Sequence, residues 1–416
     1  MHNSVIKAWI DEVAQITSPT RKRKRDDDDE IAYPSPMSSP SKRVVPIDLE
    51  TTPRARSDAQ SFIGSLRHAA DSPSAKRRRH SPKKHNTTAS LLTLDPPIHI
   101  VQTTTGLSAV PKCIRGLYRE IHSTNAGFLP LGLKQIMTED EMDDLVISPH
   151  MWMREEEEGI PYDQKIKNEH RIILDILEEA AEASRLAKGE SAWNAQVHYP
   201  LLKLAFSDFP SLRPETITNA QIVKDFRPRS NSIPNSSASS SSLLSDSSQW
   251  TEPVSSSAHK MVDFALALIP DAELQTKIDL FLRTQHHETI NQTTYPALAN
   301  RPAPLFIETK TTSGSGSRSQ VQLGIWAASW FQRLRAAGSA KEAIPIPLVQ
   351  VYGNIWHVIF AFNENDKVTL VDHTLRIGDT ASIVGMYQLM AALRVVGKWA
   401  DTEFRTWVAE FLEGIC

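Results

Sequence analysis

Apolar positions follow two rhythms along this chain, and in places none. In residues 110–188 the rhythm is helical. Ile114, Leu117, Tyr118 and Ile121 form one stripe. Over 162–188, Ile166, Ile172, Ile173, Ile176 and Leu177 face one way, with Glu and Lys opposite. Another helix opens at Gly189-Glu190-Ser191, carries Trp193, Val197, Leu201, Leu202, Leu204 and Ala205, and is predicted to kink at Pro200. Beyond it strands and helices interleave. The pattern predicts strands at 216–223 and 260–269, a helix within 271–301, and a strand at Leu305–Lys310. It then predicts a helix at 319–337, strands at 347–352 and 355–362 joined at Gly353-Asn354, a strand at 368–372, and helices at 382–396 and 402–412.

Two stretches carry neither rhythm. Residues 17–109 are dominated by serine, proline and charge and read as a disordered tail. A serine-rich run near 228–257 reads as a flexible insertion, too long for an ordinary loop. Ahead of the tail, residues 1–16 space Val5, Ile6, Trp9, Ile10, Val13 and Ile16 as a short amphipathic helix, to dock on the core or on a partner. The tail holds two basic clusters, Arg21-Lys22-Arg23-Lys24-Arg25 and Lys76-Arg77-Arg78-Arg79. Such solvated tracts suit an acidic import-receptor groove, so a nuclear location is expected, otherwise a cytoplasmic one. A generic charge run that attracts nucleic acid loosely is the other reading.

Formal net charge is −3 over 416 residues, so no global basic field marks a nucleic-acid partner. Two cysteines, Cys113 and Cys416, give neither a disulfide framework nor a clustered zinc site. No apolar run spans a bilayer and no secretory leader is visible, so neither a membrane nor secretion is expected.

Chemistry concentrates at two strands. In 260–269, Asp263 is the one carboxylate among apolar neighbours and needs a partner or a cation. In Leu305–Lys310, alternation puts Glu308 and Lys310 on one face, at the end of a run that is apolar up to Ile307. An ordinary exposed strand edge would also carry such a pair. An Asp and a Glu from neighbouring strands can hold a divalent cation through oxygen, and a lysine beside them can balance charge on a phosphate. Gln322, on the next helix, can hydrogen-bond the lysine, a water or a phosphate. Trp326, on the same helix face, also reads as plain core. Asp372-His373, at the end of a strand, reads as a turn cap.

These residues resemble the PD-(D/E)XK nuclease superfamily, and within it the fungal PD-(D/E)XK nuclease-like domain proteins. The matching stretches are Trp193 to His198, Met261 to Phe264, Ile290 to Thr293, Ile307 to Lys310, Val321 to Gly324 and Ile377 to Thr380. The resemblance implies an α/β, restriction-endonuclease-like sandwich over residues 189–416, with a central mixed sheet flanked by helices in αβββαβ order. Residues 110–188 become a helical extension. It implies a nuclease that hydrolyses phosphodiester bonds, DNA first, with Mg2+ or Mn2+ at Asp263 and Glu308 and Lys310 as catalytic lysine. Glu190 is the candidate for the further acid of the first helix. Val262 stands where the motif has proline, and the interval from Asp263 to Glu308 is long. A non-catalytic nucleic-acid-binding or protein-interaction module on the same fold is the alternative.

Overall fold

A computed structural model describes residues 87–102, 110–138, 142, 145–154, 163–230, 262–364 and 366–415. The expected helix at 1–16, both basic clusters and residues 231–261 of the serine-rich stretch lie outside the described residues. In chain order the elements are α1 (Thr88–Leu91), β1 (Leu94–Asp95), β2 (Ile98–Gln102), α2 (Arg115–Ser123), α3 (Asp163–Arg185), α4 (Glu190–Trp193) and α5 (Tyr199–Ala205). There follow β3 (Leu212–Thr216), β4 (Arg229–Ser230), β5 (Phe264–Leu268), α6 (Ala272–Thr284), β6 (Leu305–Lys310) and α7 (Gly316–Ala337). The chain ends with β7 (Ile346–Tyr352), β8 (Ile355–Glu364), β9 (Lys367–Asp379), α8 (Ile383–Trp399) and α9 (Arg405–Glu413). Leaving aside the two-residue β4, which pairs with β1 in a separate two-stranded sheet, the order from α4 to β7 is the expected αβββαβ, with α6 inserted between β5 and β6.

Seven strands make one mixed sheet in the order β2-β9-β8-β7-β6-β5-β3. β6 runs parallel to β7, and β2 to β9; the other neighbours are antiparallel. The parallel β6–β7 pair needs a crossover, which α7 supplies. Strands β5, β6 and β7 are buried on both faces, which is why they read as nearly continuous apolar runs. Alternation sorts their side chains between two helical layers. Phe306 meets Trp326 of α7 edge-on, ring centres 5.9 Å apart. Phe264, paired with Ile307, stacks on Tyr199 of α5 at 6.3 Å. Farther along the sheet Leu370 lies against Gly324 of α7, while Phe360 points the other way, to Tyr118 of α2. Trp326 is wholly buried, so packing is its role.

Several expectations are corrected. The expected tail runs to residue 109, but residues 88–102 belong to the fold. Leu91 and Ile98 are wholly buried, and β2 pairs along β9. A composition rich in serine and proline hid a short apolar edge strand. The strand expected at 216–223 is β3, a few residues earlier; Pro214 is tolerated because β3 lies at the sheet edge. Pro200, expected to kink one α-helix, does not sit inside a continuous α-helix. It stands in the first turn of α5, after a π-turn at Asn194–His198 that widens the helix where the ring would strike the preceding turn. The strand at 368–372 runs on to Asp379. Asp372 is therefore in mid-strand, accepting from Gln320 Nε2 at 2.9 Å, and is no turn cap.

Gly378 sets where β9 can end against α8. Its φ is +140°, and a Cβ there would sit 2.5 Å from the Gly385 carbonyl oxygen and 2.6 Å from the Leu389 nitrogen. Gly378→Ala should therefore cost about 2–5 kcal/mol through strain and overpacking together. Gly116→Ala, on α2 with open space around it, should be neutral or stabilising by up to about 1 kcal/mol. Urea unfolding of the two variants checks both, and equal midpoints would show that the Gly378 turn is not constrained.

Candidate active site

The carboxyl end of β6 is where the predicted residues meet. Beyond the Phe264–Ile307 pair the β5–β6 ladder stops, and Asp263, at the bend before β5, takes over as acceptor. Its Oδ2 accepts the Thr309 backbone N–H at 2.8 Å and lies 2.9 Å from the Thr309 hydroxyl. That hydroxyl is also 2.8 Å from Asn194 Oδ1, and its single proton can serve only one of the two. Asp263 is thus held to β6 by a backbone and a side-chain contact, and β6 is held to the first helix through Asn194.

Glu308 lies inside the sheet layer, 1% exposed. Its Oε1 accepts from Lys310 Nζ, while its Oε2 is buried with no hydrogen-bond partner. Burial, reinforced by the Asp263 charge, pushes its carboxyl up to about 9 in spite of Lys310. Lys310 Nζ also lies 3.3 and 3.2 Å from the two oxygens of Glu190 and 2.7 Å from the Thr309 carbonyl. Burial works against its charge, but Glu308, Glu190 and Asp263 outweigh it and hold the ammonium above the usual lysine range. Glu190, in the first turn of α4, is raised by burial and by Asp263, against the pull of Lys310. Glu190, the candidate for the further acid, thus lies against Lys310.

Gln322 sits half-buried in the second turn of α7. The glycines around the site keep α7 close to β6 and β7. A Cβ at Gly316 would lie 2.5 Å from the Tyr352 hydroxyl, and one at Gly314 would lie 2.8 Å from Lys310 Cβ.

The other matching stretches build the frame. Asn291 donates to the Leu298 and Arg301 carbonyls at 2.5 and 2.8 Å and accepts from Ala303 N–H at 3.2 Å, shaping the approach to β6. Asp379 accepts from Ala381 N–H at 2.9 Å and from the Ser382 hydroxyl at 3.2 Å, at the entrance to α8. His198 is wholly buried between Trp193 and Trp356, and burial lowers it to about 3, so it is neutral packing. Asn194 and Thr309 received no role in the sequence reading. Alternation turns Thr309 away from Glu308, toward the helix whose Asn194 meets it, which is the signal that was there to be used.

Asp263, Glu308 and Glu190 supply oxygen donors of the kind magnesium and manganese take, and the orphaned Oε2 of Glu308 is a donor awaiting a partner. The chemistry of the donor set suits such a cation. Their oxygens do not all lie within 4.8 Å of one another, and Lys310 lies between Glu190 and Glu308.

An acid whose pKa is higher folded than unfolded binds its proton more tightly in the folded state. For Glu308, with an ordinary value of 4.5, that contribution is fully present below about pH 4.5 and is lost as pH rises through about 9. With a chelator present, Glu308→Gln should lose less stability than wild type between pH 5 and pH 9. Urea midpoints measured against pH check this; parallel curves for the two proteins would show that Glu308 is not held protonated.

No curated protein and no solved structure matches the chain. A family model does, over residues 138–405, a span that takes in every member of the cluster and helices α3 to α8. By that match, and by the Asp263, Glu308 and Lys310 arrangement at the end of β6, the chain belongs to the PD-(D/E)XK nuclease superfamily.

Proposed function

We propose that the β6 cluster hydrolyses phosphodiester bonds in nucleic acid, DNA first, with magnesium or manganese held by Asp263, Glu308 and Glu190. One observation carries the reading. A lysine ammonium is clamped by two acidic side chains and a backbone carbonyl at the open end of a buried strand, beside the Asp263 carboxyl fixed by its neighbour strand.

The charges decide how such a site can work. Three acids against one lysine repel a phosphate, so the substrate needs a cation between it and the carboxylates. When bound, a divalent cation neutralises phosphate charge and makes water a stronger acid. Asp263 presents its carboxylate in one orientation because Thr309 holds it. Glu308 has to give up its proton to act as a ligand at neutral pH. Lys310 stays an ammonium across that range, so it is a poor general base. It orients the attacking water by hydrogen bonding and stabilises charge that builds on the phosphate oxygens. Gln322 offers a further hydrogen bond to water or phosphate.

Lys310→Ala should cut the cleavage rate by about 10²–10³ and leave metal binding largely intact. Asp263→Ala should lose both. The assay uses single- and double-stranded DNA and RNA with magnesium or manganese, with metal binding followed by calorimetry. Equal cleavage by wild type and Lys310→Ala would remove the lysine from the mechanism. Bound metal and bound nucleic acid without cleavage would make the protein a binding module.

The basic clusters at 21–25 and 76–79 extend the proposal to a nuclear location. A fluorescent fusion of residues 17–85 should accumulate in nuclei, and an even distribution would refute the targeting role.

A further inference from the structure

Asp225, His286 and His287 stand apart from the carboxylate cluster and have no part in the chemistry above. Each offers one ligand atom, and the three atoms lie within 4.8 Å of one another, the only such group among the described residues. His287 Nε2 lies 2.8 Å from Asp225 Oδ2. The rings of His286 and His287 meet edge-on, centres 4.7 Å apart.

The segments that carry them are fixed to one another. Asp225 belongs to a single 3-10 turn, Lys224–Phe226. The chain before it is tied to the second segment by Val223 N–H to the Gln292 carbonyl at 2.9 Å and by the Ile222–Thr293 bridge. The histidines follow α6 after its C-cap, Gln285, and the His287 carbonyl accepts from Thr289 N–H at 2.7 Å. Buried Arg333 locks both segments. It donates Nε and Nη2 to the Thr289 carbonyl at 2.9 and 2.7 Å, and its guanidinium lies over the rings of Phe226 and Phe281 at 5.3 and 4.9 Å. Phe226 in turn packs edge-on against His287 at 5.1 Å.

A surface Asp–His pair alone would be an ordinary ion pair, worth little. The second imidazole and the rigid frame change its chemistry. Two imidazoles and a carboxylate are a borderline donor set, unlike the all-oxygen cluster on β6. Tetrahedral zinc with nitrogen and oxygen ligands holds them about 3.3 Å apart. Asp225 and His287 are already nearly at that spacing, and exposed His286 can swing in without disturbing the core. The carboxyl end of α6 adds a partial negative charge that favours a cation. We propose that Asp225, His286 and His287 form a second metal site, for a divalent transition ion of the zinc class, distinct from the hard-cation cluster at Asp263 and Glu308.

The test uses the full chain, with excess magnesium to occupy the oxygen donors. Zinc is titrated calorimetrically in a non-chelating buffer, and cobalt(II) by its visible absorption. Wild type should take up one ion per chain with a spectrum of nitrogen and oxygen ligation. His286→Ala and Asp225→Asn should each weaken it by more than the roughly 10–100-fold that loss of an outer partner costs, and Asp263→Ala should leave it unchanged. Both substituted side chains are exposed, so their unfolding midpoints in chelator should match wild type and the comparison stays readable. Affinity unmoved by both substitutions, or abolished by Asp263→Ala instead, would overturn the proposal.

Discussion

A carboxylate that cannot reach water has to be matched by positive charge or carry a proton, and Glu308 imposes that constraint on everything around it. The sheet and the helices on its two faces leave the residue 1% exposed, with one oxygen unpartnered. Lys310 answers part of the demand, but Asp263 and Glu190 draw on the same ammonium. One cation among three acids is an unfinished balance. It makes the carboxyl hold a proton far above its ordinary range.

How much of this could be read from residues depends on how local the cause is. Glu308 and Lys310 were legible because an apolar strand that turns charged at its end is a pattern of six consecutive positions. The αβββαβ order was legible for the same reason, since each core element carries its own periodicity. Non-local causes were hidden. Residues 88–102 join the fold only because β9 offers an edge for β2 to pair along, and nothing in their composition announces that partner. Asp372 looked like a turn residue because the polar positions after it suggested an end. The long β8–β9 ladder, with its register shifts, carries those positions on as strand.

The matching stretches divide into two kinds, and only geometry separates them. Ile307 to Lys310 and Asp263 hold charge at the site. Ile290 to Thr293 and Ile377 to Thr380 hold backbone: Asn291 closes the loop ahead of β6, and Asp379 and Gly378 turn the chain into α8. The spacing between Asp263 and Glu308 is filled by α6 and by the Asn291 loop, so the long interval adds an element beside the sheet without disturbing the register of the pair.

Thr309 shows how the two functions are joined within one residue. Its backbone N–H and hydroxyl both reach Asp263, and the hydroxyl also reaches Asn194 on the π-turn. Because the hydroxyl has a single proton, donation to Asn194 leaves Asp263 with the N–H alone, and donation to Asp263 leaves Asn194 without it. The depth of the Asp263 carboxylate and the seating of the first helix are therefore set by the same hydrogen. Glu190, four residues before Asn194, rides on that helix and reaches Lys310 from it. A shift at Thr309 would then move two of the three acids together, which places the alignment of the cluster in the residue whose side chain turns away from Glu308.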